Sequence, residues 1–110
     1  MLPKTKRLNL THSFRKVASG QRLETSHLVI FFIHSPDSSP KIGIATSKKL
    51  GGSPERHRAK RLVATAFQQI YDRIKPGLLI VAMPKPSITD ASSTQLEAEL
   101  RSTKELMIHA

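Results

Sequence analysis

The sequence predicts an α+β sandwich, with helices packed on a small mixed sheet. Three observations carry that prediction. Two unbroken apolar runs, Leu28–Ile33 (LVIFFI) and Leu78–Met83 (LLIVAM), have strand length and branched or aromatic side chains. A helix-period pattern of apolar residues separates them. Glycine and proline clusters mark the borders, at Gly51-Gly52, Pro76-Gly77 and Pro84 with Pro86.

In chain order, Thr11–Ala18 reads as a short helix capped by Thr11 or Ser13, with Phe14, Val17 and Ala18 at helical spacing and Gly20 just beyond its end. Gln21–Thr25 reads as a short extended segment. Leu28–Ile33 is apolar at every position, which suits a central strand covered on both faces. The turn formers Ser35–Pro40 lead into Lys41–Ser47, where Ile42, Ile44 and Thr46 alternate. These two strands are expected to form an antiparallel hairpin. Ser53 as N-cap, Pro54 and Glu55 open a helix whose apolar face, Leu62, Val63, Ala66, Phe67, Ile70 and Ile74, carries it to about Ile74. The buried strand Leu78–Met83 follows, and its step from Ile42 across a helix suggests parallel pairing. A last helix is expected from Ser92 to about Ile108. The order is α-β-β-β-α-β-α, one domain over residues 1–110, with residues 1–10 as a flexible basic arm.

Composition narrows the function. The 110 residues are 38% hydrophobic and contain one Tyr, four Phe and no Trp, so the core is aliphatic. Without cysteine there are no disulfides, Cys-ligated zinc sites, iron–sulfur clusters or thiol nucleophiles. No apolar run reaches transmembrane length, and Met1–Leu10 lacks the apolar stretch of a secretory signal, so a cytoplasmic protein is expected. The net charge is +10 and the pI is near 10.6, which points to a polyanionic partner. The charge is also localised. Residues 1–61 hold 13 Lys/Arg and 3 acids, whereas residues 62–110 hold 5 of each. Within 48–61 (KKLGGSPERHRAKR), six bases stand against one acid.

That segment passes from a strand through two glycines into a helix start. Backbone N–H groups at a helix N-terminus favour anions, glycine lets a phosphate backbone approach, and Arg presents a planar fork to phosphate. Cations at this end oppose the helix dipole, so solubility alone would place them elsewhere. At 100° per residue Arg56 and Lys60 flank the apolar face while Arg58 and Arg61 point away, so the bases wrap the first two turns. A nucleotide-binding P-loop is excluded by spacing, because Lys48 and Lys49 precede the glycines. Phe14, Phe31 and Phe32 are the candidates for base stacking. Phe31 and Phe32, adjacent on a strand, face opposite ways, so at least one belongs to the core. No catalytic side chains are predicted: the eight acids are scattered and the five His residues lack metal-ligand spacing.

Ser47-Lys48-Lys49-Leu50-Gly51 followed by Arg56-His57-Arg58-Ala59-Lys60-Arg61 resembles the signature of the bacterial ribonuclease P protein component. Ser47, Lys48, Lys49, Gly51, Arg56, Arg58, Lys60 and Arg61 match without a gap. The likeness extends to Arg7-Leu8, Phe14, Val17, Gly20, the strand at Leu28 and Lys85-Pro86. His57 departs from it, standing where the family usually has Asn, and Gly52-Ser53-Pro54 replaces Asn-Ala-Val. The resemblance implies a subunit of the ribonucleoprotein that removes the 5′ leader of precursor tRNA. Its RNA subunit is the catalyst, with magnesium held mainly by that RNA and the substrate, and one protein binds each RNA. Lys48, Lys49, Arg56, His57, Arg58, Lys60 and Arg61 would face the catalytic RNA. Phe14, Lys16, Val17 and Phe31 would line a cleft for the single-stranded leader. The implied fold is that of the second domain of a small-subunit ribosomal protein, with a left-handed crossover. The main rival is a ribosomal or ribosome-assembly protein of similar fold, which needs no such cleft. A DNA-binding helix over 54–74 and a metal-dependent nuclease working without RNA are further alternatives.

Overall fold

The structure, a computed structural model, describes residues 2–36 and 38–108. Met1, Asp37 of the turn-former run, His109 and Ala110 lie outside the described residues. After a single turn at Lys4–Lys6 come α1 (Leu10–Ala18), β1 (Gln21–Glu24), β2 (Leu28–His34), β3 (Lys41–Ile44), α2 (Ser53–Ile70), β4 (Leu78–Pro84) and α3 (Ser93–Arg101). This is the α-β-β-β-α-β-α order read from the sequence.

The sheet order is β1-β2-β4-β3. The expected hairpin between β2 and β3 does not form, because β4 lies between them. β2 pairs antiparallel with β4 over seven residues, from Leu28↔Pro84 to His34↔Leu78, and with β1 on its other edge. Among the strands β3 pairs with β4 alone, in parallel, from Lys41↔Leu79 to Ile44↔Ala82. The physical reason is burial. β2 and β4 are the two strands apolar on both faces, and the lowest-energy place for both is the centre of the sheet. Lys41–Ile44, shorter and more polar, takes the edge. The parallel relation of β3 to β4 is as expected, with α2 as the crossover.

The two faces of the sheet differ. Leu28, Ile30 and Phe32 of β2, with Leu78, Ile80 and Ala82 of β4, pack beneath α2 and α3 in the main core. α2 contributes Ala59, Val63, Ala66, Phe67 and Ile70 there, and Phe67 is fully buried. The other face carries Phe31, Ile33, Leu79, Val81 and Met83, and α1 covers it only in part. β2 is therefore central but sealed on one side only, which corrects the expectation of full cover on both.

Helix ends shift by local hydrogen bonding. α1 is capped by Asn9, two residues before the expected start and in place of Thr11 or Ser13; its side chain accepts from Thr11 N–H at 3.0 Å. α2 is capped at Gly52, so Ser53 is its first helical residue and not its cap. It stops at Ile70. A single turn at Tyr71–Arg73 follows, and Ile74 is extended, buried and bridged to Met107. α3 begins with a full capping box between Ser92 and Gln95 but ends at Arg101, not Ile108. Beyond it the chain folds back to meet the end of α2. Lys75 N–H donates to the Leu106 carbonyl at 2.8 Å and Ile108 N–H to the Arg73 carbonyl at 2.7 Å. Once those groups are paired across the gap, continuing the helix would leave them unmatched.

The flexible arm expected over residues 1–10 is docked along residues 2–8. Leu2 and Leu8 are buried, Leu8 N–H donates to the Ile42 carbonyl at 3.0 Å, and Lys6 Nζ sits 4.2 Å from the centroid of the Tyr71 ring. Two leucines in a basic segment give it apolar anchors that its net charge conceals. Among the described residues no helix is long and apolar enough to cross a membrane.

One polar joint ties α3 to the sheet. Glu99 accepts from His27 N–H at 3.1 Å and meets the His27 ring through its second oxygen. Burial pushes the Glu99 carboxyl up, but hydrogen bonds from the His27 ring, the Thr25 hydroxyl and the His27 backbone hold it below its usual value. A carboxyl lowered by folding stabilises the native state at neutral pH, in full above its ordinary value of 4.5, and loses that contribution as pH falls through the lowered one. We expect Glu99→Gln to cost about 1–3 kcal/mol at pH 7, read by urea denaturation. The deficit should shrink on acidification below 4.5; a deficit constant from pH 7 to pH 3 would contradict this.

Candidate nucleic-acid interface

The basic segment is built around one glycine corner. After β3 the chain makes a single turn at Lys48–Leu50 that buries Leu50 and exposes Lys48 and Lys49. Gly51 follows with φ of 113°, a region that disfavours any residue with a Cβ. A Cβ there would also lie 3.2 Å from Glu55 Cγ, and one on Gly52 would lie 3.2 Å from Glu55 Oε2. The only acid of the segment therefore folds back under the corner at the helix start, where its charge suits the dipole.

α2 then distributes the bases around its axis. Ala59 and Val63 point into the core. Arg58 and Arg61 stand on the α3 side, around an open recess shared with Leu62, Thr65 and Ser93. Lys60 stands on the opposite side, beside Arg7 and the outer edge of β3. His57 is exposed, and Arg56 is half-buried with Nη2 donating to Ser53 Oγ at 3.2 Å. The expected wrapping of the first two turns is thus what the helix presents. None of Lys48, Lys49, Arg56, Arg58, Lys60 or Arg61 makes an ion pair among the described residues. Six cations held close together without acid partners form a strong anion-attracting surface.

A second surface lies on the half-covered face of the sheet. Phe14 of α1 and Phe31 of β2, each half-buried, belong to one apolar cluster with Val17, Val81, Leu79 and Met83. Phe32 points to the main core, as the strand alternation requires. Val17 is fully buried, so it seats α1 on Val81 and supports this surface from below without lining it. Lys16 is exposed in the last turn of α1 beside Arg15, outside the cluster. Met83 and Leu79 are half-buried on the same face, brought beside Val29 and Ile33 by the β2–β4 register. Sequence reading missed them, because a wholly apolar run does not show which of its alternate positions stay open. Lys85, in the segment that resembles the family, pairs with Glu24 and donates to the Thr25 carbonyl at 2.8 Å. Hydrogen bonds from Lys85 and Arg22 hold Glu24 below its usual carboxylate value. Among the described residues no three acidic or His side chains gather as a metal set.

A one-layer sheet with a half-open apolar face, next to a helix whose first two turns bristle with unpaired cations, defines a small RNA-binding protein of the α+β class. The comparisons make it specific. A family profile described as Ribonuclease P matches residues 2–107, and the chain belongs to that family. It is 32% identical over 100 residues to the ribonuclease P protein component of Clostridioides difficile, covering 89% of this chain and 88% of that protein. It is likewise 32% identical over 109 residues to that of Mycobacteroides abscessus, covering 92% and 86%. The fold is shared with the solved RNase P protein of Thermotoga maritima, with a TM-score of 0.77 at 23% identity over 86% of this chain and 91% of that one.

The glycine corner gives a direct test. Gly51→Ala forces a Cβ into a left-handed backbone and against Glu55, and should cost about 1–3 kcal/mol. The thermal midpoint should fall by several degrees, whereas Gly52→Ala, whose backbone is extended, should move it much less. Equal shifts for the two variants would show that the corner conformation is not the constraint.

Proposed function

We propose that this chain is the protein subunit of ribonuclease P, binding the catalytic RNA and the 5′ leader of precursor tRNA during removal of the leader. The observation that carries the reading is the pairing of two surfaces on one small body. The unpaired cations of Lys48–Arg61 suit a folded RNA, and the half-open Phe14–Phe31 face suits an unpaired strand. A ribosomal protein of similar fold would account for the first surface but has no use for the second.

The division of labour follows from the chemistry. Arg56, Arg58 and Arg61, with Lys48, Lys49 and His57, meet phosphates of the RNA subunit, while Lys60, turned toward β3 and Arg7, is placed at the border of that set. Phe14 and Phe31 offer ring faces to the bases of the leader, with Lys16 and Arg15 near the same helix for its phosphates. Among the described residues no carboxylate set gathers, and bond cleavage is assigned to the RNA, with magnesium held mainly by that RNA and the substrate. A protein of net charge +10 between two polyanions offsets their repulsion, which lowers the magnesium needed to bring them together. One protein per RNA suffices for this geometry.

The test is cleavage of a leader-bearing precursor tRNA at low magnesium by a bacterial ribonuclease P RNA, with and without the protein. Accurate leader removal is expected only with both present, and cutting by the protein alone would overturn the assignment of catalysis to RNA. Arg58→Ala and Arg61→Ala should each weaken RNA-subunit binding and reduce the slope of log K against log salt by about 1. Phe31→Ala should cost about 1–3 kcal/mol in affinity for the leader-bearing precursor and leave affinity for mature tRNA unchanged, measured by filter binding.

A further inference from the structure

We propose that the recess between the outer edge of β3 and α2 is a subsite for one unpaired nucleotide of the leader strand. Its base would lie in an apolar slot against Gly43 and Ile44, and its phosphate between Arg7 and Lys60. The assignment of the nucleotide to the leader rests on the reading above; the chemistry of the slot does not.

The recess is about 170 Å³, walled by Leu10, Gly43, Ile44 and Ala64, with Arg7 and Lys60 at its rim. That is below the roughly 300 Å³ of a pocket for a drug-sized ligand, and suits a single ring system. The two cations come from different elements, one from the docked N-terminal segment and one from α2. Neither makes an ion pair among the described residues. Both cations are thus open to the phosphate of a ligand in the recess.

Two features favour a nucleotide over a bare anion. First, β3 is the last strand of the sheet, and the N-terminal segment pairs with it only at Ile42, through the Arg7 bridge and the Leu8 N–H. Main-chain polar groups alternate along a strand. Ile42 points its groups outward and Ala45 donates inward to the Ala82 carbonyl at 3.0 Å, so those of Ile44 face the slot, where no strand meets them. A base presents donors and acceptors on the edge of a flat ring whose faces suit an apolar slot; inorganic phosphate has the polar groups without the apolar face, and an acyl chain the reverse. Second, the slot adjoins the open sheet face. Leu8 and Leu10 belong to the same apolar cluster as Phe14 and Phe31, and Leu10 also walls the slot. It lies so close to the strand that a Cβ on Gly43 would sit 2.5 Å from Leu10 Cδ2. A strand crossing Phe31 and leaving over β3 passes this opening before it reaches the basic helix.

The test uses the intact protein, without RNA subunit, in two-dimensional amide NMR titrations with the four ribonucleoside 5′-monophosphates and, separately, inorganic phosphate. Saturable shifts at Gly43, Ile44 and Leu10 are expected with at least one monophosphate, weakened about tenfold in Arg7→Ala; the spectrum itself reports that the variant is folded. Equal binding of inorganic phosphate at the same amides, or shifts confined to 48–61, would overturn the nucleotide assignment. A second arm measures Arg7→Ala in the reconstituted complex. Affinity for a leader-bearing precursor should fall about tenfold, with affinity for the RNA subunit and for mature tRNA unchanged. A loss on the RNA subunit instead would overturn the leader as the source. If the wild-type protein fails to support processing while monophosphates still shift the slot, the functional reading fails and the nucleotide chemistry of the slot stands.

Discussion

β4 holds the molecule together, and the rest of the structure depends on where it lies. Seven residues, Leu78–Pro84, pair antiparallel with β2 on one edge and parallel with β3 on the other. Ile80, Val81 and Ala82 are all fully buried. A strand that is apolar on both faces is driven to the middle of the sheet, since every other place leaves a greasy edge in water. Inserting it between two strands that are consecutive in sequence separates β2 from β3. It also obliges the chain to cross from the end of β3 to the start of β4 by a long connection, and α2 is that connection.

The basic surface is a consequence of this crossover. The helix must bury Ala59, Val63, Ala66, Phe67 and Ile70 against the sheet, so its bases are confined to the remaining arc and to the first turns. Gly51 aims the helix, and Glu55 in its first turn suits the helix dipole. The cations then divide between two sides, with Arg58 and Arg61 toward α3 and Lys60 toward β3 and the docked N-terminal segment. Attraction for phosphate is thereby spread over a curved front, which suits folded RNA better than the groove of a straight duplex.

The opposite face is left incomplete. α1 is nine residues long and spends Val17 on seating itself, so it cannot cover Phe31, Leu79 and Met83 together. A cluster of half-exposed apolar groups on a protein this basic marks a binding surface. The paired acids lie outside the basic helix, and Glu24 shares the half-open sheet face with Phe31 through Arg22. Glu99 with His27 locks α3 to the β1–β2 turn, and Glu24 gathers Lys85 and Arg22 at the same end. These two acids serve as internal ties, and the cations of Lys48–Arg61 make no ion pair among the described residues.

Much of this was legible in the residues. Continuous apolar runs mark buried strands because burial on both faces demands it, and the helical period of α2 survives its heavy charge because only one arc must be apolar. The Ser47–Arg61 pattern pointed to the basic surface and the family because it gathers six bases around two adjacent glycines within one short segment. Residues 1–10 misled, since two leucines that dock are indistinguishable by composition from two that do not. Strand order was beyond local reading: β2 and β3 are neighbours in sequence, and only the competition of β4 for the central position keeps them apart. The same holds for the surfaces. Val17 and Phe14 look equivalent on a helix, and so do Arg58 and Lys60. Which of each pair is buried, exposed or turned toward a neighbour depends on where the sheet and α3 lie, and that is decided by long-range packing that no window of sequence contains.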